Sequence, residues 1–121
     1  MELVSSSATS VGHCNTMGTA LSMNCLAEAL GMSLPGCGSI PAPYRERGQM
    51  AYATGRRIVE MVWEDLTPRR IQTRASFGNA IAVAMAMGCS TNAIIHLIAM
   101  ARRAGIEVAG YVTTDDDPAV L

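Results

Sequence analysis

Apolar residues recur every three or four positions along most of this chain, which is the spacing of amphipathic helices. Four segments share the pattern, namely residues 16–30, 44–66, 73–87 and 91–104. Gly31 and Gly105 follow the first and the last as left-handed stops, and Ser90 precedes the last as its N-cap. Residues 106–108 are predicted as a short strand, but no alternation of strands with helices is visible. The chain by itself is therefore predicted to be mainly α, with about four helices.

The faces of these helices predict how they pack. The third helix has one shared face of Phe77, Ala80, Ile81 and Ala84. The second helix has a stripe of Ala51, Ile58, Val62 and Leu66, widened by Val59 and Trp63. Arg56 and Glu60 lie four apart and can pair on its solvent side, and Thr67-Pro68 ends it and opens the next turn. Residues 94–98 are apolar nearly all round, so they are predicted to be buried on most sides.

A membrane span must be weighed, because no Asp, Glu, Lys or Arg occurs between residues 75 and 101. The string GCSTN at residues 88–92 interrupts this run, and each half then has the length of a buried core helix. The amino terminus lacks the basic and apolar regions of a secretory signal. Four cysteines without such a signal indicate a reducing compartment. The chain is accordingly predicted to be cytoplasmic, with no membrane partner.

Composition limits both the core and the chemistry. The 121 residues allow one domain, and the apolar half of them includes nine Met but only one Phe and one Trp. Flexible side chains of this kind also suit a segment that packs against other protein. All nine basic residues are Arg, which excludes a Schiff-base or P-loop lysine within the chain. The arginines are dispersed among acids with little aromatic interleaving, so no nucleic-acid partner is expected.

The strongest candidate for chemistry is Cys14, which lies between Gly12 and Gly18 directly before the first predicted helix. A thiolate at a helix N-terminus has a lowered pKa and can hold a metal. The neighbouring glycines would let the backbone approach a bulky cofactor. A buried thiol in a tight turn is the alternative interpretation.

The remaining cysteines and short motifs carry weaker signals. Cys25 is interpreted as a small buried hydrophobe, whereas Cys37 and Cys89 fall in predicted loops where no spacing argues for ligation. Gly36-Cys37-Gly38 is not a dinucleotide fingerprint, because Pro41 stands where the third glycine belongs. The acidic residues 115–117 are interpreted as a solvated tail rather than a metal site.

Three strings taken together are far more specific than any one motif. They are GHCNTMGTA at residues 12–20, LAEALGMSLPG at residues 26–36, and STNA at residues 90–93 followed by His96-Leu97. The stretch 12–108 resembles the iron–sulfur-dependent dihydroxy-acid and sugar-acid dehydratase family. IPAPYRER at residues 40–47 and GRRIVEMV at residues 55–62 favour the branch that acts on aldonates such as pentonates.

The resemblance implies that the chain is a fragment of a larger α/β enzyme. Residues 1–108 would be an internal segment of its N-terminal domain, and residues 109–121 a divergent, frayed tail. In that family three cysteines hold an iron–sulfur cluster, [2Fe–2S] rather than [4Fe–4S], and Cys14 matches one of them. The other two cysteines, the Mg2+ ligands and the serine base match nothing here. The 121 residues alone are therefore expected to be inactive.

The implied function is part of a hydro-lyase that converts a small sugar acid to a 2-keto-3-deoxy acid, with the cluster as Lewis acid. The alternatives are a dihydroxy-acid dehydratase of branched-chain amino-acid biosynthesis and an inactive helical remnant that only packs or associates. The full-length enzyme is expected to be a homo-oligomer.

Four further side chains are secondary candidates for the implied site. His13 adjoins the cluster position and is a candidate for contacting substrate or tuning the cluster. Ser90, Thr91 and Asn92 are interpreted first as a helix cap and second as substrate contacts. His96 is interpreted as a hydrogen-bonded core histidine.

Overall fold

A computed structural model describes Ser7 and residues 11–108, and residues 11–108 include five α-helices. The helices are α1 (Thr19–Ala29), α2 (Arg45–Trp63), α3 (Pro68–Ile71), α4 (Arg74–Met87) and α5 (Thr91–Ala104). A short 3₁₀ turn, Cys37–Ser39, lies between α1 and α2. The prediction of a mainly α chain is confirmed. The acidic residues 115–117 and the tail 109–121 lie outside the described residues.

The predicted strand at residues 106–108 is wrong, since the described part of the chain contains helices and irregular segments only. A strand needs a partner for its backbone hydrogen bonds, and no second strand lies beside this segment within residues 11–108. Its apolar side chains are used differently. Val108 is buried, and Ile106 packs against the helical core.

Helix α1 begins three residues later than predicted, because residues 15–17 form bends instead of a first turn. Its carboxyl end is a Schellman motif, in which the Gly31 N–H donates to the Glu28 carbonyl and the Met32 N–H to the Ala27 carbonyl. Gly31 has φ +78°, a conformation that a residue with a Cβ adopts only under strain. The sequence prediction of Gly31 as the stop is therefore correct.

The later helices begin where their polar side chains predict. Thr67 precedes α3, with Pro68 as its first helical residue. Thr73 and Ser76 form a reciprocal capping box at the start of α4. The Ser90 side chain accepts the Asn92 N–H at the start of α5. At α4 and α5, side-chain oxygens thus satisfy backbone donors that the first helical turn leaves unpaired, whereas the Thr67 side chain makes no such bond at α3.

The core lies among α1, α4 and α5, where α1 and α4 form the most extensive contact. Its largest fully buried apolar side chains are Phe77, Leu26 and Leu30. Alanines complete it, because Ala80, Ala84, Ala93 and Ala101 are buried on α4 and α5. Small side chains bring helix axes close together, which explains how a core with a single Phe closes. The predicted shared face of α4 is confirmed.

The prediction for residues 94–98 is wrong in part. Leu97 is buried, but Ile95 is 66% exposed and Ile94 is also exposed. The reason is that α5 contacts α1 and α4 on one side only, so a turn that is apolar all round keeps an uncovered half. His96 lies on that uncovered side and is exposed, so its interpretation as a core histidine is wrong as well.

Helix α2 contributes no buried residue. Val62 is 73% and Trp63 is 86% exposed, so the stripe predicted for this helix lies open in the described structure. The predicted Arg56–Glu60 pair is replaced by bonds from Arg57 to Glu60 and Glu64, which raise the Arg57 pKa further above its ordinary value. Within the described residues, no helix combines the length and apolar character that crossing a membrane requires.

Candidate functional site

A cavity of about 790 Å³ lies between the segment before α1, the first turns of α1 and the loop before α2. Its lining combines apolar with polar groups, and the residues that matter most below are His13, Cys14, Asn24, Ser39 and Arg47. The cysteine selected from the sequence and the adjacent histidine therefore share one concave surface. Polar side chains that converge on an otherwise apolar hollow are typical of small-molecule sites.

Cys14 is exposed, and its Sγ lies 3.3 Å from the Thr16 hydroxyl. Hydrogen bonds from the Thr16 side chain and backbone lower the pKa of the Cys14 thiol, because they stabilise the thiolate. The predicted direction of the shift is confirmed, but the predicted cause is wrong. Helix α1 begins at Thr19, so the donors come from the bend before the helix rather than from its first turn. The alternative of a buried thiol is also excluded.

Two glycines shape the backbone around this thiol. Gly12 has φ +135°, and a Cβ on it would lie 3.0 Å from the Ala42 Cβ, so glycine lets the two cavity walls approach. A Cβ on Gly18 would lie 3.5 Å from the Cys14 Sγ, which is ordinary contact. Only Gly12 is required for close approach in this structure, and it brings two segments of protein together.

The loop on the opposite wall is held by Glu28 near the end of α1. Its carboxylate accepts the Gly36 N–H at 2.6 Å and the Gly38 N–H at 2.9 Å. These two bonds lower the pKa of Glu28, because both donors favour the charged carboxylate. A Cβ on Gly38 would lie 3.2 Å from the same carboxylate, so the loop sits tightly on α1.

Arg47 on α2 holds the same loop from its other side. One guanidinium nitrogen donates to the Cys37 carbonyl at 3.1 Å and contacts the Cys37 Sγ at 3.4 Å. Another donates to the Ile40 carbonyl. Glu28 therefore receives the N–H groups of this loop while Arg47 binds its carbonyls, and the two charges fix one cavity wall. Neither residue was selected from the sequence. The available signal was a carboxylate in the last turn of a helix that leads into the loop of residues 36–40, hereafter the glycine loop.

We expect Glu28→Gln to destabilise the isolated chain by about 1 kcal/mol at pH 7, because the glutamine NH2 cannot accept an N–H. The folded-state pKa of Glu28 is lowered, so its contribution exists above the ordinary glutamate pKa and disappears as pH falls through the lowered one. Urea unfolding of both proteins at pH 7 and at pH 3 measures this difference. It should shrink at pH 3, and an equal difference at both pH values would contradict the assignment. Glu46→Gln, at the exposed start of α2, is the control.

The Ser90-Thr91-Asn92 string lies elsewhere and does not line this cavity. The Ser90 N–H donates to the fully buried Ser22 hydroxyl at 3.0 Å, and the Ser90 hydroxyl lies 2.9 Å from that of Thr19. The Asn92 amide donates to the same Thr19 hydroxyl at 3.2 Å. These bonds join α5 to α1, which supports the interpretation of the string as a cap. They provide no support for substrate contact, which stays a prediction.

The other thiols differ from Cys14. Cys25 is half-buried on α1, and burial together with the neighbouring Cys89 raises its pKa. Cys37 opens the 3₁₀ turn, and Cys89 lies between α4 and α5, as predicted. In the described part of the chain no three His, Cys, Asp or Glu side chains approach closely enough to hold a metal ion together.

The chain matches a known protein family over most of its length. Residues 1–115 match the family described as dihydroxy-acid/6-phosphogluconate dehydratase, N-terminal. The chain belongs to this dehydratase family. The D-xylonate dehydratase of Caulobacter vibrioides is 59% identical over 116 residues, which are 96% of this chain and 19% of that protein. The resemblance inferred from the sequence is confirmed.

Dihydroxy-acid dehydratases are similar over a shorter stretch. That of Acetivibrio thermocellus is 53% identical over 97 residues, which are 80% of this chain and 18% of that protein. That of Syntrophobacter fumaroxidans is 54% identical over 97 residues, which are 80% of this chain and 17% of that protein. The chain thus spans about one fifth of the length of the curated dehydratases it matches.

Proposed function

We propose that this chain supplies Cys14 as one thiolate ligand of an iron–sulfur cluster in an enzyme that dehydrates sugar acids. The observation that carries the proposal is the exposed Cys14 thiol, with its pKa lowered by Thr16, on the wall of a cavity in a chain of the dehydratase family. A thiolate is the form of cysteine that binds iron.

The donor set fits such a cluster in part. Cys14 offers one thiolate, and the described residues hold no group of three potential ligands. The remaining ligands are proposed to come from other polypeptide. A [2Fe–2S] cluster with an open iron position would act as a Lewis acid on the leaving hydroxyl, and Mg2+ would orient the substrate oxygens. The Mg2+ ligands would likewise lie outside this chain.

In this proposal the described side chains stabilise the Cys14 thiolate and bind the substrate. Hydrogen bonds from the Thr16 side chain and backbone lower the pKa of Cys14, which favours its thiolate form. Arg47 brings a positive charge to the cavity wall, which favours an anionic ligand such as a sugar-acid carboxylate. Asn24 and Ser39 add amide and hydroxyl groups that can hydrogen-bond sugar hydroxyls. His13 has its Nδ1 3.3 Å from the Cys14 carbonyl, so its ring lies beside the ligand and within reach of substrate.

An aldonate of pentonate size is the proposed substrate, and its dehydration product is a 2-keto-3-deoxy acid. The greater identity and longer match to a D-xylonate dehydratase support this branch over the dihydroxy-acid dehydratases. The latter reaction, in branched-chain amino-acid biosynthesis, is the second candidate because those relatives still match four-fifths of the chain. The full enzyme is proposed to be cytoplasmic and homo-oligomeric.

The test uses a chimera, which is the D-xylonate dehydratase of Caulobacter vibrioides with its matching segment replaced by the corresponding 116 residues of this chain. The chimera should release a 2-keto acid from D-xylonate at a rate close to that of the parent enzyme. Slower turnover of D-xylonate together with a gain on a branched 2,3-dihydroxy acid, each relative to the parent, would favour the second candidate. A folded chimera that binds iron but dehydrates neither acid would support the inactive remnant.

The isolated 121-residue chain should retain no stable cluster and dehydrate no sugar acid, since one thiolate cannot replace a full ligand set. Iron and sulfide analysis after anaerobic reconstitution, together with a 2-keto acid assay, measures both properties. Stoichiometric iron with turnover of a pentonate would contradict the proposal that the ligand set is shared with other polypeptide.

A further inference from the structure

One face of α2 is apolar and open along the length of the helix. It comprises Gly48, Tyr52, Gly55, Val59, Val62 and Trp63, hereafter the glycine face. The first five recur at alternating intervals of four and three, and Trp63 follows Val59 by four. Tyr52 and Val59 are 72% and 55% exposed, and Val62 and Trp63 are 73% and 86% exposed. Within the described residues nothing lies within 4 Å of a Cβ built on Gly48 or Gly55.

The two glycines weaken the helix without serving any contact seen here. A glycine in a helix interior is less favourable than alanine, because it loses more backbone freedom on folding. Alternating intervals of four and three place residues along the seam where one helix packs against another. Glycines on such a seam let a second backbone come close, and the large side chains beside them supply the apolar contact. The glycine face therefore fits another helix.

Two observations bear on what could cover the glycine face, namely the exposed apolar side chains on other helices and the length of the related dehydratase. Met85 on α4 is 76% exposed and Ile95 on α5 is 66% exposed, so apolar side chains are open on three helices. A two-fold axis would place the same patch of each copy against the other, so the glycine face would lie against its own counterpart. The D-xylonate dehydratase has about four-fifths of its length outside the matching segment, which is enough polypeptide to cover apolar side chains on all three helices.

We propose that the glycine face seats an apolar helix from the part of the dehydratase polypeptide that lies outside these 121 residues. The backbone of that helix passes closest to α2 at Gly48 and Gly55. The proposal rests on family membership and on the geometry of α2, and it does not depend on cluster ligation by Cys14. Failure of either proposal leaves the other intact, because the test below measures stability and assembly rather than dehydration.

The experiment compares Gly55→Leu in the isolated chain and in the chimera. In the isolated chain the leucine side chain enters open space and improves helix propensity, so the melting temperature should rise by a few degrees. In the chimera the same side chain meets the covering helix, so melting temperature and soluble yield should fall. Ala53→Leu is the matched control, since Ala53 is exposed on the opposite side of α2. It should be tolerated equally in both proteins.

A rise in melting temperature with Gly55→Leu in both proteins would overturn the proposal, because the face would then be open in the whole enzyme. A dimeric isolated chain that Gly55→Leu converts to monomer, with the chimera unaffected, would overturn it in favour of a second copy. Where the isolated chain shows no cooperative melting, the chimera alone decides. There, Gly55→Leu must lower the soluble yield relative to Ala53→Leu, and equal yields refute the proposal.

Discussion

Replacing Cys14 with serine in the chimera should reduce iron loading and cut dehydration roughly 1000-fold, which corresponds to about 4 kcal/mol of lost transition-state stabilisation. Serine has nearly the same size, but its hydroxyl does not ionise near neutral pH and cannot act as an iron ligand as a thiolate does. The Thr16 hydroxyl and N–H that stabilise the thiolate would remain in place. The measurements are iron and sulfide content, the visible absorption of the cluster and release of the 2-keto acid.

The matched control for this prediction is Cys37→Ser. Cys37 lies in the loop opposite Cys14 and does not line the cavity. Its Sγ accepts a bond from Arg47, and a serine oxygen can accept the same bond. Cys37→Ser should therefore leave iron content and turnover close to those of the chimera. Unchanged iron and activity in Cys14→Ser, or an equal loss in both variants, would remove the basis for assigning the ligand to Cys14.

The sequence predicted the local elements well because each depends on neighbouring residues. Ser90 begins α5 and Gly31 ends α1 through contacts within four residues, so the motif itself contains the physical cause. The direction of the Cys14 pKa shift was predictable for the same reason. Its cause was not, because the chain bends at residues 15–17 and donates from Thr16 before the helix begins.

Exposure was the property that the sequence predicted least well. An apolar stripe shows that a helix has a face to bury, but it does not show where the covering protein is. Trp63 and Ile95 belong to such faces and are exposed, since none of the described residues covers them. The same limit explains the error at His96, because an apolar neighbourhood in sequence did not become a buried neighbourhood in space.

Contacts between distant parts of the chain were the other unpredicted feature. Glu28 and Arg47 bind the glycine loop through partners that are seven to ten residues away. No periodicity marks a carboxylate that accepts two backbone N–H groups across a turn. The burial of Ser22 was unpredictable for a similar reason, since its partner Ser90 lies at the start of another helix. These contacts set the position of the cavity wall, so part of the candidate site could be recognised only from the fold.

Replacing Phe77 with alanine should unfold the isolated chain or reduce its stability by about 3–5 kcal/mol. Phe77 is fully buried with Leu26 and Leu30, and the alanines around it cannot expand to fill the cavity that its removal leaves. The free energy of unfolding of a domain of this size is about 5–15 kcal/mol in total. Here much of the apolar surface is also uncovered, so the free energy of unfolding should lie at the low end of that range. Urea unfolding followed by circular dichroism measures the change.

The control is Met85→Ala on the same helix. The Met85 side chain is 76% exposed, so its removal should reduce the stability little. Equal losses of stability for the two substitutions would show that α4 does not pack through Phe77.

The loss of Phe77 should also affect the candidate site, because α1 packs on α4 and supplies Leu21 and Asn24 to the cavity. Phe77→Ala should therefore also release the Glu28 bonds to the glycine loop, and hydrogen exchange at the Gly36 and Gly38 amides should accelerate together with that of α1. Protection of those two amides that survives loss of α1 would show that the loop is held independently of the core.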